Sequence, residues 1–302
     1  MSLDALNLSM RPARRIGALA VAAGWVFALS LGATAFPLQA KKTTHEKPYW
    51  DDTIIPGSPV TVLELARRII PDIKSDPDKV DKVTGRDFSR VRVVDGVEET
   101  GMELDTDSDE EREISEADYF WMKDDRDRRL VLLLKVDIER PVIGLFNVSP
   151  EVALLDAVTI AQDAHVDVET GKLWAIHPRR EAFAVQCWHD NSSESFDGYT
   201  FISIVNHKLR AVAGQLVFSG FTTYLPARRR LCKTATTPKF QFVRSPGRAY
   251  FDLIVTDLIL KVCHPEAEEW SWKTGIVFQK NVRTVWRWNA KKRQYGRASA
   301  RR

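Results

Sequence analysis

From Phe88 onward the chain is written in short apolar runs, and that punctuation constrains its fold more than any other feature. "FSRVRVV" alternates and stops at the turn pair Asp95-Gly96. "RRLVLLLKVDI" and "VIGLFNV" follow, separated by Pro141. "EVALLDAVTIAQD" sits after Ser149-Pro150 and could open a helix, but its β-branched content favours a strand. "EAFAVQCW" and "YTFISIV" come next, and Asn206-His207 turns the chain into "KLRAVAGQLVF". "AYFDLIVTDLILKVC" is the longest apolar run, and "GIVFQKNVRTVWRWN" places Val282, Thr284, Trp286 and Trp288 on one face at period two. Runs this close in sequence, joined by short polar turns, pair antiparallel. No internal repeat is visible, which argues against a propeller. The expected fold is mainly β: an antiparallel β-sandwich or large β-meander with one N-terminal amphipathic helix packed on it.

That helix is read from "SPVTVLELARRIIPDI". Ser58 suits the N-cap and Pro59 the first helical position. Val62, Leu63, Ala66, Ile69 and Ile70 form an apolar stripe, and Pro71 ends the run.

The first forty residues read as an address. Arg11, Arg14 and Arg15 precede the uncharged run "IGALAVAAGWVFALSLGATAF", and small residues follow at Ala33-Thr34-Ala35 and at Ala40. This is the order of a secretory signal peptide. The run is also long enough to span a bilayer, so an uncleaved anchor is the alternative. Arg14-Arg15 resembles a twin-arginine signal, but Gly17 and Ala18 stand where larger apolar residues are wanted, which favours the general export route. The expected location is the periplasm or the exterior, with a membrane tether as the alternative. Domain boundaries follow: signal peptide 1–40, linker 41–57, a single β-rich domain 58–296 with an acidic loop at about 95–127, and a basic tail 297–302.

Charge excludes one class of partner. The chain carries 44 Lys and Arg against 41 Asp and Glu. Residues 1–40 hold three Arg and one Asp, so 41 bases remain against 40 acids. A near-neutral exported chain offers no general affinity for nucleic acid. Three cysteines lie beyond residue 40: Cys187, Cys232 and Cys263. An oxidising compartment permits one bond among them, with three pairings open. Cys232–Cys263 is preferred, because Cys187 falls inside an apolar strand where a thiol acts as a small hydrophobe. Cys232 is placed in the polar loop "RRRLCKTATTP".

"CWHDNSSESFDGY", residues 187–199, is the stretch richest in reactive groups. Phe183, Val185, Cys187 and His189 share a strand face, so His189 is expected as a buried, hydrogen-bonded residue. Asp190 points to the opposite face and is badly placed to orient that imidazole. Ser192, Ser193 and Ser195 lack a nucleophile elbow. The stretch therefore reads as a polar corner between strands. The competing reading is a metal-assisted hydrolase built on His189, Asp190 and Glu194, with carboxylates drawn from residues 163–197.

Two other clusters could hold a divalent metal. Asp163, His165, Asp167 and Glu169 alternate in "DAHVDVE" and would line one side of a strand. Asp105, Asp107, Asp109, Glu113 and Glu116 match ligand positions of a calcium hand, but Glu110 replaces its glycine and Arg112 its apolar residue. A solvated loop is the expected state, and no cofactor is expected; calcium or another divalent metal is the alternative.

Charge layout is more distinctive. Residues 95–127 hold fifteen acids and three bases, whereas residues 270–302 hold ten bases and no acid. The two blocks either neutralise each other within the fold or mark an interaction surface. The basic end would present Lys291, Lys292 and Arg293 in a turn before Tyr295, and Arg297, Arg301 and Arg302 beyond the last strand. Its Trp residues are expected in core or cross-strand packing. The expected function is a binding or structural role in the cell envelope, without catalysis. An anionic envelope surface or cell-wall polymer would be the partner, and membrane contact would be peripheral at most after cleavage.

Overall fold

The apolar runs resolve into strands of one continuous sheet that folds back on itself twice. The structure, a computed structural model, describes residues 41–42, 46–75, 82–96, 110–137, 140–160, 165–190, 194–225, 230–265 and 276–298. The expected signal peptide, 1–40, lies outside the described residues. Among the described residues no helix is long and apolar enough to cross a membrane.

In chain order the elements are β1 (Lys41–Lys42), α1 (Val62–Ile69), β2 (Lys74–Ser75), β3 (Val83–Gly85), β4 (Arg92–Val93), β5 (Arg112–Asp124), β6 (Asp127–Val136), β7 (Arg140–Asn147) and β8 (Ala153–Thr159). They continue as β9 (His165–His177), β10 (Arg180–Asp190), β11 (Glu194–Val205), β12 (Lys208–Leu225), β13 (Arg230–Val243), β14 (Asp252–Pro265), β15 (Ile276–Asn289) and β16 (Gln294–Arg297). Among the described residues all sixteen strands belong to one sheet, which does not close. Neighbours pair antiparallel except β4 and β8, which run parallel. The expected β-rich meander with one packed helix is the fold observed.

Three cores divide this sheet into layers. Leu130, Leu132 and Leu134 of β6 face α1, while Val131 and Leu133 between them face β9–β11. The same alternation recurs in the next layer: Phe183 and Val185 look back to β6, and Ala182 and Ala184 look forward to β13–β16. A strand buried on both faces has no solvent side to mark with polar residues, which is why "LVLLLKV" and "EAFAVQC" read as unbroken apolar runs. The order is therefore helix, β5–β8, β9–β12, β13–β16. Small side chains of the second layer (Ala182, Ala184, Ala213) meet large rings of the third. Phe201 sits edge-on to Phe240 and Phe242 at centroid distances of 5.1 and 5.4 Å.

Polar seams fix the layers in register. Asp156 of β8, 9% exposed, accepts hydrogen bonds from Arg92 Nε and Nη2 at 3.1 and 2.7 Å and from the Leu209 amide at 2.7 Å. This joins the first layer to the second through a paired, almost enclosed carboxylate. Gln294 of β16 donates to the carbonyls of Gly96 and Ala211 at 3.2 and 3.3 Å, tying in the third layer. Gly96 has φ +91°, and a Cβ there would meet the Gln294 amide and lie 2.9 Å from the Ala211 carbonyl oxygen. Only glycine fits this crossing without displacing the seam.

Several boundaries differ from the sequence reading. The helix starts at Val62 with Thr61 as its cap, not Ser58. Thr61 and Glu64 form a reciprocal capping box that satisfies two amides at once, an arrangement Ser58 cannot make. The buried stripe is Val62, Leu65, Ala66 and Ile69. The stretch read as a linker is docked: Lys41–Lys42 pairs with Lys172–Leu173, Ile54 and Ile55 are buried, and Trp50 packs on the first core. The expected acidic loop contains strand β5 from Arg112 to Asp124, while residues 97–109 lie outside the described residues. The expected polar loop at Cys232 is strand β13. Threonines at 234, 236 and 237 suit a pleated surface despite their polarity. Pro238 is tolerated there because the register with β12 ends at Phe221↔Thr234, leaving β13 an edge on that side.

Candidate functional site

Two regions gather charged and aromatic groups on this scaffold: the outer surface of the third layer and a cleft where the first two layers part.

The outer surface is basic because of strand parity. In β15, Val282, Thr284, Trp286 and Trp288 are half-buried, so Arg283 and Arg287 fall on the opposite, exposed side. The turn after β15 exposes Lys291, Lys292 and Arg293, with Arg293 at φ +55° and the Lys291 and Lys292 amides donating to Asn289 Oδ1. Residues 276–298 hold seven Lys and Arg and no Asp or Glu. Within this set Arg287 has an acidic partner, Asp252 at 3.9 Å. The tryptophans belong to the core: Trp288 stacks on Tyr250 at 4.0 Å and 8°, and meets Tyr295 edge-on. Trp270 and Trp272 lie outside the described residues. Arg297 is not in a tail but in β16, opposite Trp286, because β15 offers it an open ladder. Arg301 and Arg302 lie outside the described residues.

The acidic block finds its partners elsewhere. Glu111 pairs with Lys74, Glu113 with Lys82 and Glu116 with Lys47, at 2.6, 2.6 and 2.5 Å. Asp125 pairs with Arg179, and Asp124 and Asp127 with Arg129. Among the described residues no ion pair joins this block to the basic end. The described acids Glu111, Glu113, Glu116, Asp124, Asp125 and Asp127 are thus engaged by bases other than those of residues 276–298, while residues 97–109 lie outside the described residues.

The cleft has a volume of about 470 Å³ and opens where β9 and β10 run past the ends of β5–β7. Leu133 and Val168 form its floor, and Trp188, 39% exposed, forms part of its wall. His165 stacks on Trp188 at 5.6 Å and 24°, because the two residues are direct cross-strand partners. Glu116, Asp118 and Asp167 line the mouth together with Lys47, Lys135 and Arg140. The Lys47 ammonium, hydrogen-bonded to Glu116, holds that carboxyl below its ordinary value.

His189 is exposed, stacked on Phe196 at 5.7 Å, and is not a core residue. The apolar row ends at Cys187 because the first layer, which covers Phe183 and Val185, does not extend that far. Among the described residues no hydrogen bond or ion pair joins His189 to a carboxylate. His189→Ala is therefore expected to change stability by less than about 1 kcal/mol, as for an ordinary surface substitution, in a urea titration against the parent. Glu194 begins β11 and is exposed. Asp190 pairs with Ser195 through the backbone, and its side chain lies outside the description. Cys187 is a buried free thiol whose ionisation burial pushes up to about 11, so it is an inert hydrophobe at neutral pH.

Of the metal candidates, His165 and Asp167 do share a strand side and reach one cleft with Glu116. Asp163, Asp105, Asp107 and Asp109 lie outside the described residues. Glu113 and Glu116, read as ligands of a calcium hand, stand in β5 engaged by lysines. Among the described residues no group of three or more metal-ligating side chains converges. Cys232 and Cys263 face each other in register across β13 and β14, with Cα atoms 4.0 Å apart, and are bonded.

Comparison with known proteins returned no match. No family model fits the chain, and neither a curated protein nor a solved structure is significantly similar to it.

Trp188 was not singled out by sequence. Its signal was the cross-strand pairing with His165, which becomes readable only once the β9–β10 register is known.

Proposed function

We propose that this is an exported cell-envelope protein with a binding role, held reversibly to an anionic envelope surface by the outer side of its third layer. The observation that carries the reading is the acid-free run 276–298, whose bases stand on an exposed strand side and turn, while the described acids Glu111, Glu113, Glu116 and Asp125 pair with other lysines and arginines. Each Lys or Arg near an anionic surface contributes about 1 kcal/mol, and the attraction decays within roughly 8 Å at physiological salt. Lys291, Lys292 and Arg293 acting together would give weak, salt-sensitive attachment. Export is read from residues 1–40, and the Cys232–Cys263 bond supports an oxidising compartment. Lipid headgroups and an anionic cell-wall polymer share the fixed negative charge this surface would meet.

Co-sedimentation across a salt series tests the reading. Vesicles containing phosphatidylglycerol should carry the protein down at low salt, and neutral vesicles should not. Replacing Lys291, Lys292 and Arg293 by alanine should weaken that binding roughly one hundredfold, the sum of three contributions of about 1 kcal/mol. An isolated anionic wall polymer, run in parallel, identifies which surface is engaged. Binding that is unchanged in the triple variant, or absent from both surfaces, would remove the proposal.

A further inference from the structure

We infer that the cleft beside Trp188 is a binding site for a neutral oligosaccharide, independent of the basic outer layer. Three features point to this ligand class. The first is size: about 470 Å³ lies within the range of small-ligand sites and holds a few sugar rings. The second is the platform. Trp188 and His165 both line the cleft; Trp188 leaves 39% of its surface open, one face of its indole being taken by His165 stacked at 5.6 Å. The negative face of an aromatic ring attracts the slightly positive C–H face of a pyranose, and a flat ring is rigid enough to lose little entropy on binding.

The third feature is the charge balance of the mouth, and it decides between ligand classes. Glu116, Asp118 and Asp167 face Lys47, Lys135 and Arg140, a formal sum of zero. A mouth with no net charge gives no general preference for a phosphate or carboxylate headgroup. It does place donors and acceptors close together, since a carboxylate has about four acceptor sites and an ammonium three donors, so the Lys47–Glu116 pair does not exhaust either partner. A hydroxyl both donates and accepts, so a polyhydroxylated ligand can use both sets. Leu133 and Val168 are 6% and 8% exposed, so these two side chains offer an acyl chain little surface to bury. An oligosaccharide uses the wall and the rim and needs no deep apolar slot.

The test is calorimetric titration of the full purified chain with the hexamers of N-acetylglucosamine and of glucose, both uncharged. Binding of at least one, with Kd of roughly 1 mM or tighter, is expected. Trp188→Ala should weaken it about tenfold or more, as for an aromatic anchor, and Trp188→Phe should retain part of the affinity. His165→Ala, at an exposed position, is a second variant that leaves the cores intact and should also weaken binding. The alanine triple at Lys291, Lys292 and Arg293 should bind the hexamers as the parent does, which separates this site from vesicle attachment. Failure of both hexamers to bind overturns the inference. So does undiminished binding in the folded Trp188→Ala and His165→Ala variants, or binding confined to dextran sulfate and lost in the basic-turn triple.

Discussion

Phe183→Ala is expected to cost about 3–5 kcal/mol of stability, the largest loss from any single substitution considered for this chain. The ring is fully buried in the second core and meets Phe120 of the first layer edge-on at 5.1 Å. Its strand is covered on the other face by the third core, so neither neighbouring layer can move in to fill the space without opening the opposite contact. Urea denaturation followed by circular dichroism measures the cost. Phe278→Ala, at a phenylalanine 48% exposed on the third layer, serves as the control and should fall within about 0.5 kcal/mol of the parent. Equal behaviour of the two variants would contradict the three-layer arrangement.

Removal of the Cys232–Cys263 bond is the second large effect. The bond closes a loop of 31 residues, and the chain-entropy account gives about 3–4 kcal/mol for a loop of that length. Replacing both cysteines with alanine should therefore lower stability by that amount under oxidising conditions. It should also abolish the difference between reduced and oxidised samples that the parent shows. Peptide mapping without reductant that finds Cys187 in the bond would refute the assignment, since Cys187 is buried against Gly198 on a different layer.

The strands were legible where burial on two faces left unbroken apolar runs, as at Leu130–Val136 and Ala182–Val185. Asn206-His207 was legible as a hairpin because both residues adopt positive φ, 54° and 60°, between the paired Val205 and Lys208. Cys232–Cys263 is the bond found, but Cys232 lies on a polar strand and not in a loop, because polarity alone does not separate the two. Strand β5 was hidden for the same reason, since Glu113, Glu116 and Asp118 mask the alternation of Ile114, Ala117 and Phe120. The candidate cleft was half visible. His165 and Asp167 could be placed on one side of a strand from their spacing alone. Their meeting with Glu116 and Lys135 depends on how the sheet folds over, which no local pattern encodes. His189 was misplaced because parity predicts which face a residue takes but not how far the covering layer extends.

The meander also bears on how the chain is made. Most strands hydrogen-bond to the one just before them in sequence, and the exceptions include the single pair Arg180↔Asp124 that links β10 to β5. Ladders of this kind close short loops, so little entropy is lost before each hairpin gains its bonds. A chain emerging amino-terminus first can therefore complete β5–β8 on its helix before β9 arrives, and each later layer assembles on a surface already formed. Oxidation is equally local, because both cysteines belong to one hairpin. Such an order of assembly never requires a late segment to thread between finished layers, which suits a polypeptide that begins to fold before its last residues have appeared.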